Sequence, residues 1–164
     1  MIMGTIKELK NFDVIQNKRK QVWFYYHQIL EELESMNLLR RAPTGPFFRD
    51  SYHNYFVLLN KRFVLSEVLK KLHEGGVQAL SHYEPLHLSE GGIRFSNRKI
   101  TLLNTEDISR RLVRLPFHYC ISENEQEFVV EILKKNFINM KLIGNCWLIL
   151  VIALFVLYSC IWRT

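Results

Sequence analysis

Apolar residues recur with helical spacing over the first forty positions of the chain. Between residues 14 and 39 they lie three or four apart, which places them on one face of an α-helix. This set comprises Val22, Tyr25, Tyr26, Ile29, Leu30 and Leu33. The spacing predicts one long amphipathic helix from about Val14 to Leu39. Because Pro43, Gly45 and Pro46 interrupt the pattern, we predict a loop over residues 40–50.

Three short segments are rich in aromatic and β-branched residues, a composition that predicts strands. These segments are Tyr52–Leu59, Val77–Tyr83 and Arg114–Tyr119. Together with the helices between them they predict an α+β fold, in which a small three-stranded sheet is covered by helices.

Capping residues mark the remaining helices. Ser66 could cap a helix that ends at the Gly75–Gly76 pair, and Thr105 could cap a helix across Glu106–Val113. Ser122, followed three residues later by Glu125, is a capping-box pattern that predicts a last helix through about Asn139. A second glycine pair, at residues 91–92, predicts a turn within a long polar loop.

Residues 142–162 form an uncharged apolar stretch of 21 residues. As a helix it would span roughly 31 Å, about the thickness of the hydrocarbon core of a bilayer. Trp147 and Trp162 lie near its ends, and more basic residues precede the stretch than follow it. By the positive-inside rule this predicts a single-pass membrane protein with residues 1–141 in the cytoplasm. A buried C-terminal helix is the alternative.

Composition and charge exclude several classes of protein. The 164 residues suit one domain, and 48% hydrophobic with 23% charged residues is typical of a folded protein. Three cysteines without zinc-ligand spacing exclude a disulfide scaffold and predict no metal site. The net charge of +6 comes from scattered basic residues without an RNA-binding motif, so no nucleic-acid partner is expected. The first twelve residues lack a basic region followed by an apolar one, so we expect no secretory signal.

The densest group of polar side chains is the segment His82–His87, which follows the second predicted strand. Two imidazoles, a phenol and a carboxylate within six residues could bind a sugar or a phosphate, or could transfer protons. The alternative is a surface loop with incidental histidines. His53, at the first strand, could point into the same cleft.

Three arginines are a second candidate. Arg110, Arg111 and Arg114 could hold a phosphate through bidentate hydrogen bonds, or could simply lie on a solvated helix face.

The order of these motifs resembles that of the DegT/DnrJ/EryC1/StrS family of pyridoxal-phosphate (PLP)-dependent nucleotide-sugar aminotransferases. Residues His82–Gly92 match the family pattern HYxPLHxSxxG, and residues Ser109–Pro116 match SxRLxRLP. Upstream, Asn17–Tyr26 looks like the family's linker helix and His53–Val57 like the first strand of its small domain. The resemblance covers about residues 6–137 and looks most similar to the dTDP-4-amino-4,6-dideoxygalactose transaminase branch.

The resemblance implies the small C-terminal domain of a fold-type-I PLP aminotransferase. Residues 1–40 would then form the linker-helix region, residues 41–141 the small domain and residues 142–162 a hydrophobic C-terminal helix. His82, Tyr83 and His87 would line the nucleotide-sugar side of the site, with His53 a weaker candidate.

The cofactor lysine is the main departure from the family. None of the eleven lysines stands in the family's cofactor-lysine motif, so the resemblance assigns no catalytic and no cofactor-binding residue to this chain. Without that lysine we expect the chain alone neither to bind PLP nor to aminate a dTDP-4-keto-6-deoxy sugar. The missing large domain or a full-length aminotransferase subunit would be its partner, and whether the chain is itself an enzyme stays open.

Two other interpretations remain open. The chain could be a membrane-anchored, non-catalytic interaction domain. It could also be a truncated or frame-shifted gene product, in which case the apolar stretch would not be an anchor and the domain would be cytoplasmic.

Overall fold

A computed structural model describes residues 11–46, 51–96 and 101–139 of the chain. Six helices lie in this part: α1 (Phe12–Ile29), α2 (Glu31–Ser35), α3 (Leu65–Glu74), α4 (Glu90–Phe95), α5 (Leu103–Ser109) and α6 (123–139). Four strands accompany them: β1 (Leu39–Arg41), β2 (Tyr55–Leu59), β3 (Leu80–Ser81) and β4 (Leu112–Leu115). One 3₁₀ turn covers Leu86–Leu88.

The strands form one antiparallel sheet in the order β1-β2-β4-β3. The α+β class is therefore confirmed, but the prediction of three strands is wrong, because β1 was assigned to the first helix and the following loop. The prediction of one helix up to Leu39 is also wrong, because α1 ends at Ile29 and the short α2 ends at Ser35. Asn37 then adopts a left-handed conformation with φ of 55°. Asparagine tolerates that conformation better than most residues, and the chain then turns into β1.

The core lies on one face of the sheet. Alternate residues of β2 and β4 are buried there: Tyr55, Val57, Leu59, Val113 and Leu115. Helices α1, α3 and α6 contribute buried residues to the same core. The long amphipathic face predicted for α1 is mostly confirmed, although Trp23 is buried and Tyr25 instead donates a hydrogen bond to Glu127 at 2.6 Å.

Hydrogen bonds fix α1 to the end of β4 and α6 to α1. The hydroxyl of Tyr26 on α1 donates to the carbonyl oxygen of Pro116, just after β4, at 2.9 Å. The buried Gln126 amide on α6 donates to the carbonyl oxygen of Val22 at 2.9 Å. Buried polar groups that are paired in this way set the register of the helices as well as their contact.

Helix ends were predicted with mixed success. The capping box is confirmed, because the Glu125 carboxylate accepts from the Ser122 N–H at 2.8 Å. The helix stop at Gly75–Gly76 is also confirmed, with φ of 82° at Gly76. However, α3 begins at Leu65 with Val64 as its N-cap, not with Ser66.

Other element boundaries differ from the predicted ones. Helix α5 starts at Leu103, ahead of the predicted Thr105 cap, and ends before β4. The predicted strands Val77–Tyr83 and Arg114–Tyr119 are much shorter or displaced, since β3 covers Leu80–Ser81 and β4 covers Leu112–Leu115. The glycines at 91–92 lie inside α4 instead of a turn.

The predicted membrane span at residues 142–162 lies outside the described residues. Among the residues that are described, no helix has the length and apolarity needed to cross a bilayer.

Candidate functional site

The segment after β3 carries the predicted site. Strand β3 is the edge of the sheet, with Leu80 opposite Arg114 and Ser81 opposite Val113. Arg114 holds the chain as it leaves the sheet, because its Nε donates to the carbonyl oxygen of Ser81 at 3.3 Å. The same guanidinium lies 5.0 Å from the centre of the Tyr83 ring, a cation–π distance.

His82 and Tyr83 form an exposed aromatic pair at this edge. Their ring centres are 5.3 Å apart, and the Tyr83 side chain is 74% exposed. Arg114 supports the Tyr83 ring. An exposed ring with a phenol, next to an imidazole, can stack on a sugar or a base and hydrogen bond to its hydroxyl groups.

The next residues fold into a compact turn. Ser89 donates through Oγ to the carbonyl oxygen of Leu86 at 2.7 Å and accepts from the N–H of Gly92 at 3.1 Å. Ser89 is thereby the N-cap of α4. The motif residues Ser89 and Gly92 therefore build the turn, and their role in this chain is structural.

His87 lies in the 3₁₀ turn and faces α5. Its Nε2 is 3.3 Å from Oε1 of Glu106, and the two side chains are only 10% and 15% exposed. Glu106 also accepts from the N–H of Leu102 and from Arg110, both at 3.2 Å. The hydrogen bond with His87 has the largest part in lowering the pKa of Glu106, and the contacts with Leu102 and Arg110 lower it further. His87 is thus fixed against α5, whereas His82 and Tyr83 face solvent.

The three candidate phosphate-binding arginines already have partners in the chain. Arg111 forms a bidentate pair with Asp107 and donates through Nη1 to the carbonyl oxygen of Leu59 at 2.7 Å. The hydrogen bonding that Asp107 accepts from Arg111 is the main reason why the pKa of Asp107 is lowered. Arg110 pairs with Glu106 and Arg114 with Ser81 and Tyr83. The arginines therefore connect α5, β2 and β3, and the structure does not gather them into one anion site.

His53 lies apart from the other three predicted residues. It precedes β2, whose first residue Tyr55 is opposite Leu115, whereas His82 follows β3, whose last residue Ser81 is opposite Val113. Because β2 and β3 run in the same direction on either side of β4, these histidines leave the sheet at opposite ends. The Nδ1 atom of His53 hydrogen bonds to Ser51 Oγ at 2.5 Å.

A cleft of about 570 Å³ on the outer face of the sheet was not predicted. Its apolar lining includes Phe56, Leu58 and Leu112, and its polar lining includes His27 and Arg41. His27 hydrogen bonds through Nδ1 to the Tyr55 hydroxyl at 3.1 Å, and burial followed by the charge of Arg41 lowers its pKa. Glu106 was also missed as a site residue, because a glutamate within a predicted helix carries no signal of its own.

The described lysines do not fit a PLP-binding lysine. A Schiff-base lysine is activated by desolvation or by a neighbouring cation. The seven lysines of the described residues are all at least partly exposed, and Lys134, for example, pairs with Glu32 at 2.7 Å. The described part of the chain therefore offers no lysine site for the cofactor.

Known proteins share features of this sequence and fold. A profile of the DegT/DnrJ/EryC1/StrS aminotransferase family matches residues 3–134. No curated protein sequence matches significantly.

Solved structures share the fold at low sequence identity. The chain is 22% identical to Helicobacter pylori PseC, an aminotransferase of pseudoaminic acid biosynthesis, with a TM-score of 0.69 over 82% of this chain and 36% of that one. It is 16% identical to the apo form of Spr1654 from Streptococcus pneumoniae, which is described as a sugar aminotransferase. The TM-score is 0.73, and the match covers 85% of this chain and 35% of that one. For DesV of S. venezuelae the identity is 21% and the TM-score is 0.66, and the match covers 79% of this chain and 33% of that one. The chain thus spans about a third of the length of the structures that it matches.

Proposed function

The chain belongs to the DegT/DnrJ/EryC1/StrS aminotransferase family, and we propose that it is the nucleotide-sugar-binding C-terminal third of a PLP-dependent transaminase. The substrate proposed is a dTDP-4-keto-6-deoxy sugar, as in the dTDP-4-amino-4,6-dideoxygalactose branch that the motifs resemble. The observation that carries this proposal is the exposed His82–Tyr83 pair, held at the sheet edge by Arg114.

The four candidate residues would contribute in different ways. Tyr83 offers a ring face for stacking and a phenol for hydrogen bonding, and His82 adds an imidazole beside it. His87 is proposed as a third contact, whose ring is held by Glu106. His53 would be a fourth contact that reaches a ligand from the other end of the sheet.

Chemistry on the amino group would come from outside the described residues. In the family, PLP accepts and delivers the amino group while the protein binds and orients the sugar. Because the described lysines do not fit that cofactor, we propose that this chain is inactive alone. Its partner would be the PLP-carrying large domain or a full-length aminotransferase subunit, with residues 1–40 as linker and 41–141 as the small domain.

Two measurements on the purified full chain test this proposal. In the first, dTDP-4-amino-4,6-dideoxygalactose is titrated while NMR signals of the histidine and tyrosine rings are followed. Tyr83→Ala should abolish the saturable shifts, whereas Tyr119→Ala, at another exposed tyrosine, should leave them intact. Equal binding by both variants, or none by the unsubstituted chain, would refute the substrate proposal.

The second measurement is turnover. PLP, glutamate and a dTDP-4-keto-6-deoxy sugar are added to the chain alone and then to the chain mixed with the large domain of a family enzyme. Product with the chain alone would contradict the proposed division of labour. Product only in the mixture, lost again in Tyr83→Ala, would support it.

The membrane anchor is a separate proposal that rests on the sequence of residues 142–162 alone. An uncharged stretch of that length favours insertion of the chain in a bilayer with residues 1–141 on the cytoplasmic side. Fractionation of cells that express the full chain or residues 1–141 tests it. Equal membrane retention of the two forms would eliminate the anchor.

A further inference from the structure

Glu106 is the junction between α5 and the turn that carries His87. Its Oε1 atom faces both Nε2 of His87, at 3.3 Å, and the N–H of Leu102, at 3.2 Å. Its Oε2 atom accepts from Arg110 at 3.2 Å. The Glu106 side chain is 15% exposed although that of Arg110 is 73% exposed, so the carboxylate faces inward and its arginine partner lies outside.

This arrangement determines where the proton of His87 resides. An ionised carboxylate only accepts hydrogen bonds, so the His87 nitrogen that faces it must carry a hydrogen. The lowered pKa of Glu106 keeps the carboxylate ionised. In a neutral ring the proton is then on Nε2, and Nδ1 becomes a hydrogen-bond acceptor. Among the described residues Nδ1 has no hydrogen-bond partner of its own.

The same contact holds the turn in place. His87 is the central residue of the 3₁₀ turn Leu86–Leu88, which is closed by the N–H of Leu88 donating to the carbonyl oxygen of Pro85 at 2.8 Å. The other side-chain hydrogen bonds of the turn, made by Ser89, stay within residues 86–92. The His87–Glu106 bond therefore joins the turn to a different helix, 19 positions along the chain.

We propose that Glu106 is a positioning residue, which selects the Nε2-protonated form of His87 and fixes the segment 82–95 against α5. Through this bond His87 presents an acceptor nitrogen to the ligand, in the turn that follows the His82–Tyr83 pair held by Arg114. The inference rests on the proposed function, because it assigns a role to the supports of the same ligand site. Glu106 itself contacts no ligand.

The test compares Glu106→Gln with Glu84→Gln in the full chain, kept in a mild detergent. Both variants remove one carboxylate, but Glu84 is exposed and lies in the same segment. Nitrogen NMR of ¹⁵N-labelled histidine at pH 8 reports which ring nitrogen of His87 carries the proton. We expect the Nε2 form in the unsubstituted chain and in Glu84→Gln. A mixture is expected in Glu106→Gln, since an amide can either accept from Nε2 or donate to it.

Hydrogen exchange gives a second readout. The amides of Leu88, Gly92 and Ile93 close the turn and the start of α4. We expect their exchange to be roughly tenfold faster in Glu106→Gln than in Glu84→Gln. An unchanged His87 proton position together with unchanged exchange would overturn the proposal.

Substitution of His87 keeps the proposal testable if Glu106→Gln folds poorly. His87→Gln retains a side-chain N–H that can donate to Glu106, so amide exchange in the turn should stay slow. In His87→Ala, which has no such donor, the exchange should be faster. Equally fast exchange in these two variants would overturn the positioning role.

Ligand titration separates this proposal from the one on which it rests. If dTDP-4-amino-4,6-dideoxygalactose binds no form of the chain but the His87 proton and the amide exchange respond as expected, the proposed function fails and the positioning role stands. If the ligand binds the unsubstituted chain and Glu106→Gln with the same affinity, the positioning role fails. A loss of affinity of roughly tenfold in Glu106→Gln relative to the unsubstituted chain would support both.

Discussion

A Cβ atom on residue Gly92 would lie 1.7 Å from the carbonyl oxygen of Leu86. No side chain can be accommodated at that distance, because the obstacle is backbone. The neighbouring Gly91 has open space at the same position. The two glycines look alike in sequence, yet only the second is required by the packing of the turn on α4.

We predict that Gly92→Ala opens this turn and Gly91→Ala does not. Overpacking typically costs about 1 to 3 kcal/mol, and here the backbone must move to relieve it. In Gly91→Ala the added methyl group should be neutral or slightly stabilising, because alanine is favoured over glycine in a helix. Hydrogen exchange at Leu88 and Ile93 with denaturant unfolding measures both effects. Equal protection in the two variants would contradict the assigned contact.

How far the sequence predicts this molecule depends on the range of the forces involved. The capping box at Ser122–Glu125 and the stop at Gly75–Gly76 are local, and both were predicted correctly. Strand β1 was missed because it forms by pairing with β2, with Leu39 opposite Leu59, twenty positions away. Its first residue, Leu39, also continues the apolar spacing of the preceding helix, whereas Arg40 and Arg41 fall in the predicted loop.

In the candidate site, too, local features could be predicted from the sequence and tertiary contacts could not. The motif that contains His82, Tyr83 and His87 could be found from the sequence, and so could its resemblance to a family. The sequence could not show that His87 is held by Glu106 while Tyr83 is exposed, because that difference arises from the packing of the turn on α5. Likewise, Arg111 resembled a phosphate ligand until its partners, Asp107 and Leu59, were visible.

We predict that Arg111→Lys destabilises the chain and Arg110→Lys does not. The guanidinium of Arg111 reaches both the Asp107 carboxylate and the carbonyl oxygen of Leu59, and a lysine cannot span both partners. Loss of the hydrogen bond to Leu59 should cost about 1 to 2 kcal/mol in the free energy of unfolding. Arg110 is 73% exposed, and exchange for lysine there should have little effect. Urea unfolding of the two variants checks this prediction. Similar unfolding midpoints would show that Arg111 does not stabilise the contact between α5 and β2.

We predict that the stability of the fold falls as the pH drops below about 6.5. Burial, followed by the charge of Arg41, lowers the pKa of His27 in the folded chain from its usual 6.5. The unfolded chain therefore binds a proton first as the pH falls, which favours unfolding from about pH 6.5 down to the lowered folded pKa. Unfolding by urea at pH 8 and pH 5.5 measures the loss, and His27→Gln should reduce it. A pH dependence that persists in full in His27→Gln would assign the effect to other groups.

We predict that Ser122→Ala destabilises α6, whereas Ser66→Ala leaves α3 unaffected. Ser122 Oγ accepts from the N–H of Glu125 at 3.3 Å and donates to its carboxylate at 2.7 Å, and loss of such a cap typically costs about 0.5 to 2 kcal/mol. Ser66 was an equally good cap candidate in the sequence, but the N-cap of α3 is Val64. Because hydrogen bonds from Ser122 lower the pKa of Glu125, the capping contribution should be present at neutral pH. It should decline as the pH falls below about 4.5, where the unfolded carboxylate binds its proton first. Unfolding of both variants at pH 7 and pH 4 measures this difference, and an equal effect of the two substitutions at pH 7 would contradict it.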